Sequence, residues 1–229
     1  VNTGGSSSRE NDRTFSWTWN NILTYDKTLG EHHFNLLAGQ EAYSYRYDVL
    51  RASRSNMALP DFPELAVGSL VTGGTGYRVD YSLVGYFLNA QYDYQSKYFF
   101  SGSYRRDGSS RFAPETRWGN FWSVGASWRI DREDFMVAAS DWLSALTLKV
   151  SYGAQGNDNL GTYYASSGLY SVVSNNGENA LVSDRLATPK LKWETNLNLN
   201  AGIDFSLFNN RFSGSFDFFQ RRSKDLLYS

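Results

Sequence analysis

The sequence predicts an all-β protein: an antiparallel, up-and-down segment of a transmembrane β-barrel, with about eight strands, long extracellular loops and one short periplasmic helix. Three observations predict this fold. Apolar and polar residues alternate over long stretches, short connections alternate with long ones, and aromatic residues stand near strand ends. The mean hydropathy of -0.48 is compatible with it, because strands that alternate average out as polar.

The composition favours strands and excludes several other classes of protein. The 229 residues include 16 Tyr, 15 Phe, 7 Trp and 20 Gly but only 4 Pro; aromatic residues prefer strands and glycine prefers turns. Cys is absent, which excludes disulfide frameworks, thiol nucleophiles and thiolate metal sites. A formal net charge of -1 gives no indication of nucleic-acid binding. No run of about 18 apolar residues marks a spanning helix.

The clearest strand is predicted from Lys192 to Leu207. Its period of two holds over 16 residues, whereas strands of globular proteins are usually about 5–6 residues long. We therefore expect Leu199 to face lipid and its neighbour Asn198 to face the lumen. The full lipid-facing set would be Trp193, Thr195, Leu197, Leu199, Ala201, Ile203, Phe205 and Leu207.

Seven further strands follow from the same alternation. They are predicted over residues 14–25, 32–47, 84–94, 98–106, 118–130, 146–155 and 211–223. Aromatic residues near their ends favour interface belts: Trp118 and Trp128 on one outward face, and Trp193 and Phe205 on another. The alternative is that long strands of any tyrosine-rich β-protein carry aromatic residues near their ends.

The connections between these strands alternate in length. Tight turns are predicted at 27–31, 95–97 and 208–210, and longer loops at 48–79, 107–117 and 156–189. The segment 131–145 is predicted to form the short helix, because Glu133 and Asp134 place acids in its first turn. Short periplasmic turns and long external loops are typical of membrane barrels.

The two chain ends indicate an incomplete barrel. The chain begins with a polar Gly/Ser stretch, 1–8, and ends at 224–229 on the long-loop side, so both ends are expected outside the cell. A sheet with open edges cannot face hydrocarbon. We therefore expect missing strands on each side, although eight strands can also close alone as a small outer-membrane barrel.

Seven segments of the chain stand out as motifs: Phe34-Asn35-Leu36-Leu37-Ala38-Gly39-Gln40-Glu41, Tyr104-Arg105-Arg106-Asp107-Gly108-Ser109-Ser110-Arg111-Phe112, Arg117-Trp118-Gly119-Asn120-Phe121-Trp122, Ser127-Trp128-Arg129-Ile130, Ser151-Tyr152-Gly153-Ala154-Gln155-Gly156-Asn157, Leu191-Lys192-Trp193-Glu194 and Asp225-Leu226-Leu227. In sequence and in order, these segments resemble the SusC/RagA-like branch of the TonB-dependent outer-membrane transporters of Bacteroidetes. The pair Phe121-Trp122 departs slightly from the aliphatic or proline-containing pair that the family usually has there.

The resemblance implies a larger machine. Residues 1–229 would be part of a TonB-dependent receptor barrel domain of 22 strands, with the plug, the TonB box and the final strands outside this chain. The implied function is TonB-driven import of oligosaccharides or oligopeptides across the outer membrane, with a SusD-like surface lipoprotein as partner. The resemblance implies no cofactor and no catalytic role.

Two groups of residues are candidates for contact with cargo or partner. Arg105, Arg106, Asp107 and Arg111 form the densest charge cluster, which either faces substrate or stabilises the loop through ion pairs and turn chemistry. The loop 156–189 exceeds the usual length of a structureless loop. Its stacking and hydrogen-bonding side chains could bind a sugar or peptide, or pack against the lipoprotein: Tyr163, Tyr164, Tyr170, Asn175 and Asn176.

The sequence gives no indication of an enzyme. His32 and His33 would point to opposite faces of a strand and could not share a metal ion, and no Gly-x-Ser-x-Gly motif occurs. Glu41, Asp93, Glu194 and Asp204 are expected to line a wet lumen. The alternatives that remain are a soluble or surface β-sheet module that binds glycans, and a small self-contained outer-membrane barrel.

Overall fold

The computed structural model describes residues 4–59 and 61–226. Three parts of the chain lie outside the described residues: Val1–Thr3, Pro60 and Leu227–Ser229. The predicted external chain ends and the last residue of the Asp225-Leu226-Leu227 segment fall on them. The strands are β1 (Ser6–Leu29), β2 (His32–Met57), β3 (Gly68–Tyr94), β4 (Tyr98–Ser109), β5 (Trp118–Arg129), β6 (Leu143–Asn157), β7 (Leu169–Asn175), β8 (Glu178–Arg185), β9 (Glu194–Leu207) and β10 (Phe212–Lys224).

Eight strands form one sheet in the order β1-β2-β3-β4-β5-β6-β9-β10, and β7 and β8 form a separate hairpin. The pairs from β3 to β10 are antiparallel. The prediction of eight up-and-down strands is therefore confirmed. The described residues group into two compact units, one made of the chain up to Thr18 with Tyr43–Ser82, the other of Trp19–Ala42 with the chain from Leu83 onward.

The first three strands are much longer than a membrane crossing needs. They have 24, 26 and 27 residues, whereas β4 and β5 have 12 each; a tilted strand crosses hydrocarbon with about 9–11 residues. The predicted loop over 48–79 is therefore wrong, because only 58–67 separates β2 from β3. Pro60, Pro63 and the glycines at 73–76 suggested a loop, but the strands continue beyond the length that a bilayer requires.

The alternation of short and long connections is confirmed with one exception, the connection 130–142 between β5 and β6, which is longer than the other connections at its end of the sheet. Gly30 and Glu31 alone join β1 to β2, and Gly30 has the positive φ of 62° that such a tight turn requires. The turn 208–211 places Phe208, Asn209 and Asn210 in the left-handed region. The long connections include 110–117 and 158–193. The second of them contains the β7–β8 hairpin, where the sequence predicted a loop without strands.

The predicted helix over 131–145 is wrong in type and extent. Two 3-10 helices, Ile130–Arg132 and Asp134–Ala139, occupy its first part, and β6 begins at Leu143. Because β6 begins at Leu143, only residues 130–142 remain between the two strands. Asp131 instead binds the chain on both sides: its carboxylate accepts hydrogen bonds from Arg129 Nη2 at 2.6 Å and from the Leu146 N–H at 3.1 Å. Within the described residues, no helix is long and apolar enough to cross a membrane.

Glu133 joins this turn to the ends of β4 and β5. Its Oε1 accepts hydrogen bonds from the Tyr98 hydroxyl at 2.5 Å and from the Trp128 indole N–H at 2.9 Å. Lys97 Nζ lies 3.5 Å from the other carboxylate oxygen. One carboxylate therefore satisfies two aromatic donors and balances one positive charge.

Acidification is expected to destabilise the wild-type full-length protein more than a Glu133→Gln variant. The Tyr98 hydroxyl, the Trp128 indole and Lys97 hold the pKa of Glu133 below its ordinary value of 4.5. Because the folded-state pKa is lowered, this stabilisation is complete above the unfolded-state pKa and is lost as the pH falls through the folded-state value. Thermal unfolding at about pH 7 and about pH 3 measures the difference; equal losses for the two proteins would contradict it.

The part of the sheet from β4 to β10 has one apolar and one polar face, because cross-strand partners share a side. The register aligns Trp128 with Leu148, Leu148 with Ile203, and Ile203 with Phe216. The apolar face comprises Tyr98, Phe100, Val124, Ala126, Trp128, Leu148, Val150, Tyr152, Leu199, Ala201, Ile203, Phe216 and Phe218. The other face is mostly polar and comprises Ser101, Ser103, Arg105, Ser123, Ser127, Lys149, Ser151, Asn198, Asn200, Asp204 and Asp217, with Phe99, Phe121 and Phe219 among them.

A buried aromatic cluster lies on the polar side of the sheet. Phe112 is 2% exposed, and its ring centroid lies 5.4 Å from that of Trp193. Phe121 lies 5.2 Å from Trp193 in an edge-to-face arrangement. The expectation that Trp193 faces lipid is therefore wrong. β9 begins one residue later, and the Trp193 indole N–H donates a hydrogen bond of 2.7 Å to the carbonyl of Arg117.

Candidate functional site

Arg105, Asp107 and Glu41 form an ion-pair network at the end of β4. The Arg105 Nε lies 2.7 and 2.8 Å from the two carboxylate oxygens of Asp107, and its Nη2 lies 3.3 Å from a carboxylate oxygen of Glu41. The guanidinium carbon lies 5.4 Å from the ring centroid of Phe87. Asp107 is buried, and its bond to Arg105 offsets the cost of removing the carboxylate from water.

A glycine on the neighbouring strand makes room for this network. Gly85 of β3 pairs directly with Asp107. A Cβ atom on Gly85 would collide with the Asp107 carboxylate and would lie 2.8 Å from Arg105 Nη2. Any larger residue at this position would therefore push the ion pair out of its present geometry.

Arg111 and Ser109 connect the loop after β4 to the loop after β6. Arg111 Nη1 donates a hydrogen bond of 2.7 Å to the Asp158 carbonyl, and the Ser109 hydroxyl donates one of 2.7 Å to the Asp158 carboxylate. The Arg111 guanidinium carbon also lies 4.9 Å from the centroid of the Tyr163 ring. Ser109 is completely buried. This network holds two external connections together.

Arg106 is separated from the other members of the predicted charge cluster. It lies on the opposite side of β4 from Arg105, and its guanidinium carbon is 5.2 Å from the ring centroid of Trp118. The structure thus distributes the four predicted residues over three places: Arg105 with Asp107, Arg111 with Asp158, and Arg106 with Trp118. The contacts of Arg105, Asp107 and Arg111 are those of a loop-stabilising network.

The remaining predicted residues lie in and beside the β7–β8 hairpin. The Tyr164 carbonyl accepts a hydrogen bond of 2.7 Å from Arg185 at the end of β8. Tyr170 is 67% exposed. Asn175 ends β7 and Asn176, with φ of 52°, occupies the turn. Tyr170, Asn175 and Asn176 are therefore displayed to the surroundings, whereas Tyr163 is covered by Arg111.

The two histidines point to opposite sides of β2, as the sequence predicts. His32 Nδ1 lies 2.8 Å from the Tyr92 hydroxyl, whereas the two ring nitrogens of His33 lie 2.8 Å from Asp93 and 3.1 Å from Asp26. The adjacent imidazoles thus have separate partners on opposite sides of β2. Among residues 4–59 and 61–226, no group of three or more His, Asp or Glu side chains could hold a metal ion.

An aromatic surface on β2 and β3 was not predicted from the sequence. Tyr43, Tyr45 and Tyr47 stand at alternate positions of β2, and so share one side of it. Tyr77 and Tyr81 of β3 extend this side: the ring centroids of Tyr47 and Tyr77 are 6.3 Å apart, and those of Tyr43 and Tyr81 are 6.0 Å apart. We call these five residues the tyrosine face. The Tyr-x-Tyr-x-Tyr spacing was the signal that could have revealed it.

Replacement of Arg111 by alanine is expected to loosen the loop 158–168. The variant loses a charge-assisted hydrogen bond to Asp158 and the contact with Tyr163, so local opening should increase about tenfold. Limited chymotrypsin digestion of the full-length protein, with fragments identified by mass spectrometry, measures cleavage at Tyr163 and Tyr164. Arg106→Ala serves as the control, since Arg106 contacts Trp118 instead. Equal cleavage in the two variants would show that Arg111 does not hold this loop.

The known sequences that this chain resembles are all described as TonB-dependent receptors. The family described as "TonB dependent receptor-like, beta-barrel" matches residues 1–229. TonB-dependent receptor P3 of Formosa agariphila is 31% identical over 98% of this chain, which covers 23% of that protein. TonB-dependent receptor SusC of Bacteroides thetaiotaomicron is 31% identical over 94% of this chain, which covers 22% of that protein. The chain therefore spans less than a quarter of the length of these relatives.

Solved structures show the same fold. A structure of the RagAB peptide transporter superposes with a TM-score of 0.90 and 27% identity, over 96% of this chain and 25% of that chain. The RagAB peptide importer in its "open-open" state superposes with a TM-score of 0.86 and 28% identity, over 94% of this chain and 24% of that chain. The eight-stranded sheet thus corresponds to a part of a larger barrel.

Proposed function

Because the chain belongs to the TonB-dependent receptor β-barrel family, in its SusC/RagA-like branch, we propose that it forms wall and external loops of an outer-membrane importer of large nutrients. The observation that carries this proposal is the division of the sheet into two faces. The apolar face, with Leu148, Val150 and Ile203, suits contact with lipid. The polar face, with Lys149, Ser151 and Asp204, suits a water-filled or plug-filled lumen.

The remaining parts of the importer lie in the rest of the protein. We assign residues 1–229 to the barrel domain, and the plug, the TonB box and the other strands to sequence outside this chain. Energy would reach the transporter through TonB, which contacts those other regions. Binding and passage of cargo require no covalent step, so no residue of this chain is assigned a catalytic role.

The external connections would contact cargo and a SusD-like surface lipoprotein. The β7–β8 hairpin exposes Tyr170, Val172 and Leu181, and an isolated two-stranded hairpin is only marginally stable in water. A covering partner would remove these side chains from water. Oligosaccharides and oligopeptides are the two proposed cargo classes, and the name of the structural neighbour, a peptide transporter, supports the second of them.

Native mass spectrometry of the full-length protein, extracted in detergent from its own membrane, tests this assignment. The expected result is a complex that contains the full-length barrel protein together with a lipoprotein. A full-length protein that is extracted alone would refute the proposed partner. Uptake of radiolabelled oligosaccharides and oligopeptides by cells with and without TonB tests the energy source, and equal uptake in both would refute it.

A further inference from the structure

The tyrosine face is paired across two strands but leaves rings accessible. Tyr47 and Tyr77, like Tyr43 and Tyr81, meet edge to face at interplanar angles of 65° and 61°. Tyr77 is 47% exposed. Tyrosine combines a large apolar ring with a hydroxyl that donates and accepts hydrogen bonds. Several such rings on one side of a sheet therefore make a surface that is both apolar and rich in hydroxyl groups.

The opposite side of the same two strands is built differently. There, Arg46 Nε lies 2.9 Å from Asp80, and Arg78 Nε lies 2.6 Å from Asp48. These oppositely charged cross-strand pairs support the pairing of β2 with β3. The pairing of β2 with β3 is thus supported from the ion-paired side without the tyrosines.

Charged groups stand at one end of the tyrosine face. Arg51 Nη2 lies 2.7 Å from Glu10 of β1, and the carboxylates of Asp12 and Glu10 are close enough to act electrostatically on Tyr47. One arginine therefore stands beside two carboxylates. Such a mixture offers both donors and acceptors to hydroxyl groups, but no excess positive charge for an anionic ligand.

We propose that the tyrosine face binds the sugar rings of a neutral oligosaccharide. This proposal rests on the proposed import function and gives it a ligand class. A pyranose ring has flat C–H surfaces that pack on aromatic rings, and its hydroxyls hydrogen-bond with carboxylates, guanidinium groups and tyrosine hydroxyls. The tyrosine face and the group of Glu10, Asp12 and Arg51 supply both kinds of contact on one side of β1–β3.

An extended peptide fits this surface less well. One common mode of recognising an extended peptide pairs the peptide main chain with the free edge of a sheet. The tyrosine side chains project from the face of β2 and β3, where the main chain has already paired within the sheet. The contacts available there come from rings and side chains, which favours a ligand with apolar ring surfaces and hydroxyls.

Isothermal titration calorimetry on the full-length transporter in lipid nanodiscs tests the proposal. The probes are maltoheptaose, cellohexaose and mannohexaose, with an octaalanine peptide for comparison. We expect at least one oligosaccharide to bind, and its affinity to fall on the order of tenfold in Tyr47→Ala and Tyr77→Ala. Arg46→Ala, on the ion-paired side of β2, should bind as the wild type does.

Two further variants guard against loss of the fold. Tyr47→Leu retains bulk but removes the aromatic ring, and should bind as weakly as Tyr47→Ala. Tyr47→Phe retains the ring and should lose less affinity. Binding that is unchanged in Tyr47→Leu and Tyr77→Ala would overturn the proposal, as would binding of octaalanine alone or of no oligosaccharide.

Uptake measurements separate this inference from the proposed function. If the tyrosine variants still import in a TonB-dependent manner and still bind oligosaccharide as the wild type does, the tyrosine face is not a ligand site. The proposed import function would be unaffected by that result. Absence of TonB-dependent uptake in the wild type would instead remove the importer itself. A wild type that imports, with tyrosine variants that neither bind nor import oligosaccharide, supports both.

Discussion

Replacement of Leu199 by arginine is expected to destabilise the folded barrel by about 2–4 kcal/mol, the cost of placing a charge on the lipid side near the middle of the bilayer. Leu199 belongs to the apolar face, between Tyr152 of β6 and Gln220 of β10. The next residues of β9 on this face are Ala201 and Ile203 toward the turn 208–211, and Leu197, which pairs with Arg222, toward the other end. An arginine at this position would lose its hydration without gaining an opposite charge.

The matched control for this variant is Asn198→Arg, one residue earlier. Asn198 lies on the polar face, opposite Gly153 and Arg221, where a charged side chain remains in water and its repulsion from the exposed Arg221 is screened. Denaturant unfolding of the full-length protein in lipid vesicles measures both variants. If Asn198→Arg costs as much as Leu199→Arg, the two faces have been assigned wrongly.

Truncation of Phe112 to alanine is expected to cost about 3–5 kcal/mol of stability. Phe112 is 2% exposed and packs against Trp193, with Leu83, Leu160 and Leu191 around the cluster. Because these groups come from β3 and from the two connections 110–117 and 158–193, a small local shift cannot fill the cavity. The variant loses both apolar burial and an aromatic contact.

Phe62→Ala is the control for this second variant, because Phe62 is 53% exposed and its truncation should cost much less. Unfolding of both full-length variants is followed by tryptophan fluorescence, to which Trp193 contributes. A Phe112→Ala protein as stable as Phe62→Ala would show that the aromatic cluster does not stabilise the connections around it.

The faces of the sheet were predictable from sequence, because alternation is a local property. Trp128, Ala126 and Val124 occur at every second position of β5, and no knowledge of the neighbouring strands is needed to place them together. Trp193 shows where this reasoning fails. Its position fits the alternation of β9, but a hydrogen bond to the Arg117 carbonyl, 76 residues away, turns it to the other side.

The candidate site was only partly predictable, because its contacts depend on strand register. The partners of Arg105 and Arg111 include Glu41 and Asp158, which are 64 and 47 residues distant in sequence. Neither pairing can be read from the charge cluster alone. The tyrosines of β2 were visible as a spacing, but their union with Tyr77 and Tyr81 required the pairing of β2 with β3.

The β7–β8 hairpin could have been predicted from the residues of its turn. Asn176 and Gly177 have φ values of 52° and 88°, as in the two-residue Asn-Gly turns that favour hairpins. Short alternating segments flank this turn, from Leu169 to Asn175 and from Glu178 to Arg185. The length of the surrounding connection, rather than this turn, determined the prediction of a structureless loop.

The hairpin also determines where this protein can acquire new sequence. Leu169 and Arg185 are paired at its base, so the two ends of the excursion stay together whatever the tip contains. Insertions between Asn176 and Gly177 would leave the spacing of β6 and β9 unchanged, since flexible surface loops accept added length at little cost. The tip is accordingly the part of this connection where added sequence would disturb the eight-stranded sheet least.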